Sequence, residues 1–307
     1  MTRTLHKKPQ PSTELQILTA LHTRMNFSAN DRINFTKLYK GHLGERKFSN
    51  LLVKELSADC ITHSDLLLES NQTEFQIDSL LIFPNKIFPI EVKNFEGDFY
   101  VKEDKWYAVA SGNEIRNPLL QIERSEFLLR QFLQRLGYKI PIEPYLVFVN
   151  PKFTLYQAPF HQSIVFPGQL QQFMKKLNAN PGRLQKRHRE LSEKLARQHI
   201  VTSSRERLPI YAYEKLKKGI TCSSCKGFLS VLHMKSLHCE RCDNEERIEK
   251  AVMRMVTEFQ LLFPERKITT SSIYDWCQII SSKKRIRRIL MRNMTLVRKG
   301  RSSHYIF

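Results

Sequence analysis

Apolar positions in the first part of the chain recur at helical spacing. Residues 12–40 predict two short amphipathic helices, with Asn30-Asp31 capping the second and Lys40-Gly41 ending it. GHLGERKFSNLLVKEL then predicts a further helix, with Phe48, Leu51, Leu52 and Leu56 on one face. From residue 74 the pattern changes. QIDSLLIFPNKIFPIEVKNF, residues 76–95, reads as two apolar strands folded around Pro84-Asn85-Lys86, and DFYVKED, KWYAVA and SGNEIRNP continue a strand-rich stretch. Asn117-Pro118 opens a long helix through Leu136, with Leu119, Ile122, Phe127, Leu128 and Phe132 near helical spacing. IEPYLVFVNP supplies another buried strand. Helix, strands, helix, strand in that order predicts a compact α/β domain over residues 37–165, preceded by an N-terminal helical extension over 1–36.

Beyond that domain the apolar periodicity weakens. Residues 166–219 read as a charged helical linker, interrupted by Pro181-Gly182. Residues 220–243 hold two C-x-x-C pairs. Residues 244–307 regain a pattern: an amphipathic helix with Ile248, Val252, Met255, Val256, Phe259 and Leu262, then two helices preceded by Ser or Thr caps, then two short strands around Lys299-Gly300. Three helices followed by a hairpin resemble a winged helix-turn-helix domain.

Composition narrows the class. A chain of 307 residues with 41% hydrophobic and 10% aromatic residues suits two or three folded domains. Its longest apolar runs, such as Leu80 to Phe83, are of strand length, so no membrane span is expected. The basic N-terminus MTRTLHKKPQPSTELQ has no apolar segment behind it, so no signal peptide is expected. The expectation is a soluble, cytoplasmic protein. Fifty Lys and Arg against thirty Asp and Glu give a formal charge of +20, which attracts polyanions, nucleic acid foremost. The charge clusters: Ser281 to Arg301 holds nine cations and no acid, whereas 71–100 holds five acids and two bases.

The hairpin is thus an acidic island in a basic protein. A two-residue loop at Pro84-Asn85 would set Asp78 opposite Glu91, and one at Asn85-Lys86 would set it opposite Lys93. Either register gathers Asp78, Glu91 and Lys93 on one face, whereas a three-residue loop would need a bulge to do so. Adjacent carboxylates repel unless a cation joins them, and Mg²⁺ takes one or two carboxylates plus waters and phosphate oxygens. Such an ion lowers the pKa of water for attack on a phosphodiester, and a lysine beside it stabilises developing negative charge. A surface hairpin with one salt bridge is the plainer reading, but strands this apolar are usually buried on at least one face.

Four motifs carry a resemblance. G-H-L-G-E at 41–45, Q-I-D at 76–78, E-V-K-N at 91–94 and N-P-x-x-Q at 117–121 resemble the nuclease-related domain (NERD) family. That family is similar to the PD-(D/E)xK superfamily of restriction-like endonucleases. The resemblance implies a mixed central sheet flanked by helices and Mg²⁺- or Mn²⁺-dependent cleavage of DNA, with Asp78 and Glu91 as metal ligands and Lys93 as the catalytic lysine. It places Glu45 as a helix glutamate pointing into the site and Gln121 as a polar helix residue near it. Asn94 shapes the strand end, and Gly41 and Gly44 read as permissive backbone positions. Ile77 stands before the aspartate where proline is commoner, a variation the superfamily tolerates.

Cys222, Cys225, Cys239 and Cys242 have the spacing of a tetrahedral zinc ribbon, whose closed set of four thiolates makes the metal structural. His233 and His238 would compete only if a thiolate were missing. Cys60 and Cys277 read as buried apolar groups. In the third C-terminal helix Ile286, Ile289 and Leu290 face inward, leaving Lys284, Arg285, Arg288 and Arg292 to meet double-stranded DNA, with Arg298 and Arg301 of the hairpin on phosphates. The leading expectation is a Mg²⁺-dependent deoxyribonuclease docked on DNA by these modules. The alternatives are a DNA-binding regulator whose nuclease-like domain is inactive and, third, a protein-interaction scaffold. Intact Asp78, Glu91 and Lys93 favour the first.

Overall fold

The computed structural model describes residues 9–161, 163–200, 207–233, 235–300 and 303–307. It falls into two units, one holding Thr36–Glu206 and the other Glu14–Phe35 with Arg207–Phe307. Among the described residues, no helix is long and apolar enough to cross a membrane.

Two helices lead the chain, α1 (Thr13–Arg24) and α2 (Ala29–Glu55). The turn between them is capped by Ser28 rather than by Asn30-Asp31: Asp31 N–H donates to Ser28 Oγ at 3.1 Å, and Ser28 Oγ donates back to Asp31 Oδ2 at 2.6 Å. Nor does α2 end at Lys40-Gly41. Two internal glycines cost it about 1 kcal/mol each relative to Ala. The burial of Phe48 and Leu52 along the same helix outweighs that local cost.

The first unit continues with β1 (Ile61–Ser70), β2 (Thr73–Ile82), β3 (Ile87–Lys93), β4 (Gly97–Lys102), β5 (Lys105–Ala108) and β6 (Glu114–Ile115). Then come α3 (Pro118–Arg135), β7 (Tyr145–Phe148), β8 (Phe153–Tyr156), β9 (Ile164–Val165), α4 (Leu170–Asn178) and α5 (Lys186–Arg197). The main sheet is mixed, in the order β1-β2-β3-β7-β9: antiparallel from β1 to β3, parallel from β3 to β9. Phe48 and Leu52 of α2, with Phe173, Met174 and Leu177 of α4, share one core with Leu81, Phe88, Ile90 and Val147. Leu128, Leu129 and Phe132 of α3, with Leu191 and Leu195 of α5, share another with Leu66, Leu68, Leu80 and Ile82. Helices therefore cover the sheet on both faces, as the α/β reading requires. A second sheet, β6-β5-β4-β8, packs through Trp106 and Phe153 on Phe148 of β7. Phe127, which its spacing put in the core, lies 56% exposed, because Leu128 and Phe132 already fill the buried stripe of α3.

The second unit holds the three-stranded sheet β10 (Ser230–His233), β11 (Ser236–His238) and β12 (Glu245–Arg247). It is followed by α6 (Ile248–Leu262), α7 (Thr270–Cys277), α8 (Lys283–Asn293) and the hairpin β13 (Thr295–Val297) to β14 (His304–Ile306). Ser282 accepts from Arg285 N–H and Thr269 from Ser272 N–H, the Ser and Thr caps expected for the last two helices. Leu15, Leu18 and Leu21 of α1 are buried in this unit, and Arg24 goes in with them. Its guanidinium donates to Glu258 Oε1 at 2.8 Å and to the carbonyls of Lys217 and Gly219 at 2.7 and 3.0 Å, lying 4.1 Å from the centre of the Trp276 ring.

Candidate functional site

The β2–β3 ladder pairs Ile82 with Ile87 and Ser79 with Ile90, around a two-residue loop at Pro84-Asn85. Asp78 is the next residue along β2, and Glu91 the next along β3. Here the ladder stops, and Val92 N–H is taken by Asp78 Oδ2 at 2.8 Å instead of by a backbone carbonyl. A side chain thus closes the backbone that the separating strands leave open. Lys93 Nζ donates to Glu91 Oε1 at 2.6 Å and to Gln121 Oε1 at 3.0 Å, and Gln121 Nε2 donates to the same Glu91 oxygen at 2.6 Å. The three side chains form a closed ring of hydrogen bonds. Asn117, whose side chain accepts from Leu119 N–H, fixes the start of α3 and with it the direction of Gln121 one turn later.

Glu45 reaches the same place from α2. Burial, then the charges of Asp65 and Glu91, push its carboxyl up to about 7, against the pull of Lys93. Asp78 is driven well above the usual carboxylate range by burial first, then by Glu91 and Glu45. Asn94 donates to Lys40 O at 2.9 Å, tying the end of β3 to α2. A Cβ on Gly44 would come within 2.7 Å of Asn94 Cβ, so glycine is what permits this approach.

One acid at this site comes from a strand that sequence reading missed. β1 lies beside β2 with Ser64 opposite Ser79 and Leu66 opposite Ile77, which sets Asp65 across from Asp78. Asp65 has a φ of +52°, its Oδ1 accepts from Gln76 Nε2 at 2.7 Å, and burial raises its pKa. The signal was present: Asn71 and Gln72, both at positive φ, form a two-residue turn between LLLES and TEFQID.

Residues 40–149, which carry every one of these side chains, match the family model of the nuclease-related domain. Over these residues, about a third of the chain, the protein is similar to nuclease-related domains. Comparison with curated proteins and with solved structures gives no match.

The nuclease-related domain has a donor set suited to a hard divalent cation. Asp78 Oδ1 and Glu91 Oε2 have no hydrogen-bond partner among the described residues, so each carboxylate keeps one oxygen free while the other is held. The raised pKa values of Glu45 and Asp78 share their causes: burial first, then the charge of Glu91, with Lys93 opposing both shifts.

Outside the nuclease-related domain, the ligand atoms of Cys222, Cys225, Cys239 and Cys242 lie within 4.8 Å of one another. Cys222 and Cys242 sulfurs are 3.7 Å apart, and those of Cys225 and Cys239 are 3.4 Å apart. Tetrahedral Zn–S bonds of about 2.3 Å require sulfurs about 3.8 Å apart, so the cluster is compatible with a zinc ribbon. Ser224 N–H donates to Cys222 Sγ at 3.3 Å, as a thiolate knuckle requires. His233 and His238 stand outside the cluster, and Cys60 and Cys277 are fully buried. On α8, Ile286, Ile289 and Leu290 are buried, while Lys284, Arg288 and Arg292 are exposed and Arg285 is half-buried. Arg298 is exposed, and Arg301 lies outside the described residues.

Proposed function

We propose that the protein is a metal-dependent deoxyribonuclease, hydrolysing phosphodiester bonds at Asp78, Glu91 and Lys93. The observation that carries this reading is the ring of Lys93, Glu91 and Gln121 beside the half-buried carboxylate of Asp78. Asp78 and Glu91 would hold the cation through their free oxygens. When bound, Mg²⁺ or Mn²⁺ supplies positive charge against the phosphate and makes water more acidic. Lys93 keeps an ammonium next to Glu91, where it stabilises negative charge developing on the phosphate. Gln121 locks both partners, donating to the carboxylate and accepting from the lysine, so neither side chain must reorganise during the reaction. Glu45, poised near neutrality, is able to exchange a proton at working pH.

The second unit supports double-stranded DNA as the substrate. Lys284, Arg285, Arg288 and Arg292 project from a helix whose apolar face is buried, and the three helices with a terminal hairpin suit a winged-helix module reading the major groove. A zinc ion on the four cysteines would hold the adjoining ribbon.

The test uses the full chain and supercoiled plasmid, with Mg²⁺ or Mn²⁺. Wild type is expected to nick or linearise the DNA. Asp78→Asn and Lys93→Ala are each expected to lose activity by about 10²- to 10³-fold while still binding DNA, the scale of removing one preorganised charge stabiliser. Cleavage that survives both substitutions overturns the site assignment. Binding without cleavage by the wild type would establish the inactive, regulatory reading instead.

A further inference from the structure

We propose that a recess next to the reactive centre binds the phosphodiester backbone of one nucleic-acid strand through Lys37, Arg116 and Arg124. The inference rests on the nuclease reading for its biological sense, but its physical basis is separate. The recess has a volume of about 730 Å³, and Lys93 and Gln121 form part of its wall. Lys37 enters it from α2, Arg116 from the link between β6 and α3, and Arg124 from α3. Four cations line it against a single carboxylate, Glu74.

Cations brought together from separate elements repel, so a fold that converges four of them on one acid is arranged for an anion. Lys37, Arg116 and Arg124 are all exposed, and none forms an ion pair or hydrogen bond with another described residue. They hold no part of the fold together. Arg124 follows Gln121 by three residues, so the helical turn that aims the amide at Lys93 aims the guanidinium into the recess. Phe95, two residues after Lys93, adds an apolar wall on which a sugar or base can rest. A strand lying here passes Lys93, which belongs both to the recess and to the reactive ring. The volume suits one backbone, from a single strand or from one edge of a duplex.

The experiment reads binding alone. Full-length protein is titrated, without added divalent ion, into a fluorescein-labelled single strand and into the matching duplex over a salt series, following anisotropy. Three lost phosphate contacts are expected to make log K against log salt shallower in the Lys37→Ala, Arg116→Ala, Arg124→Ala triple variant. The change is about 2 with the single strand or about 2.7 with the duplex, at roughly 0.7 and 0.9 per contact. Which substrate loses slope identifies whether the strand is bound free or within a duplex. Unchanged affinity and slope with both overturns the proposal. Arg124→Glu, a single exchange at an exposed helical position, is the second variant and should weaken low-salt binding several-fold. A thermal melt matching wild type excludes misfolding. Because no cleavage is measured, a protein that cuts nothing can still satisfy this test, and one that cuts can still fail it.

Discussion

Glu45 shows how much of this site is decided by a single proton. Its carboxyl is half-buried and faces the charges of Asp65 and Glu91, so the folded protein holds its proton up to about 7, against 4.5 for an unperturbed glutamate. A carboxyl whose pKa is raised by folding stabilises the fold below its unfolded value, and that contribution is lost as pH rises through the folded value. The window therefore runs from about pH 4.5 to about pH 7. Glu45→Gln keeps the shape of the protonated acid and removes the charge. In buffer without added divalent ion, the variant should melt with wild type at pH 4.5 and above it at pH 8. The gain should be on the order of 2 kcal/mol, or several degrees, after discounting for relaxation of the coupled carboxylates. A melting difference that does not change with pH would show that Glu45 does not carry this proton. Asp65 belongs to the same electrostatic group, yet sequence reading passed it over. Nothing in THSDLLLES distinguishes its aspartate from a solvated one until β1 is paired with β2.

On the scale of elements, what was legible followed from local rules. The hairpin and the start of α3 at Asn117-Pro118 are written in turn and cap residues, so Asp78, Glu91 and Lys93 could be gathered on one face, whereas the choice of loop waited for the β2–β3 register and Gln121 entered only through the family resemblance. β1 was missed because Leu66, Leu67 and Leu68 break the alternation that marks a strand. The continuity of α2 was missed because helix propensity counts Gly41 as a breaker, and the contact that favours glycine at 44 lies on another element, where the sequence does not show it. The two glycines separate these effects. A Cβ at Gly41 meets nothing within 4 Å, so Gly41→Ala should raise stability by roughly 0.5–1 kcal/mol through helix propensity alone. A Cβ at Gly44 would sit 2.7 Å from Asn94 Cβ, and Gly44→Ala should cost roughly 1–3 kcal/mol by forcing α2 from the end of β3. It should also reduce cleavage, since Asn94 directly follows Lys93. Urea unfolding of both variants decides the matter, and equal signs would refute the distinction.

Across the whole molecule, α1 does not cluster with the unit that follows it in sequence. Residues 14–35 cluster with 207–307, so the unit that carries the cysteine cluster and α8 is built from two segments far apart in the sequence. Arg24 is its deepest charge: the side chain is fully buried, paired with Glu258, bonded to two carbonyls and stacked on Trp276. Burial lowers its pKa and Glu258 opposes that shift, so the ion pair is held by mutual compensation. Removing one partner of such a pair leaves the other's charge uncompensated. Arg24→Ala should therefore cost this unit about 3–5 kcal/mol. The unit with the candidate site contains neither Arg24 nor any of its partners. Calorimetry of the full chain should show two transitions, with the substitution lowering only the one that belongs to the unit of the cysteine cluster. Plasmid binding should fall with it at temperatures where that unit has melted, because the cations of α8 then lose the scaffold that presents them. A single transition, shifted as a whole, would mean that the two units unfold as one.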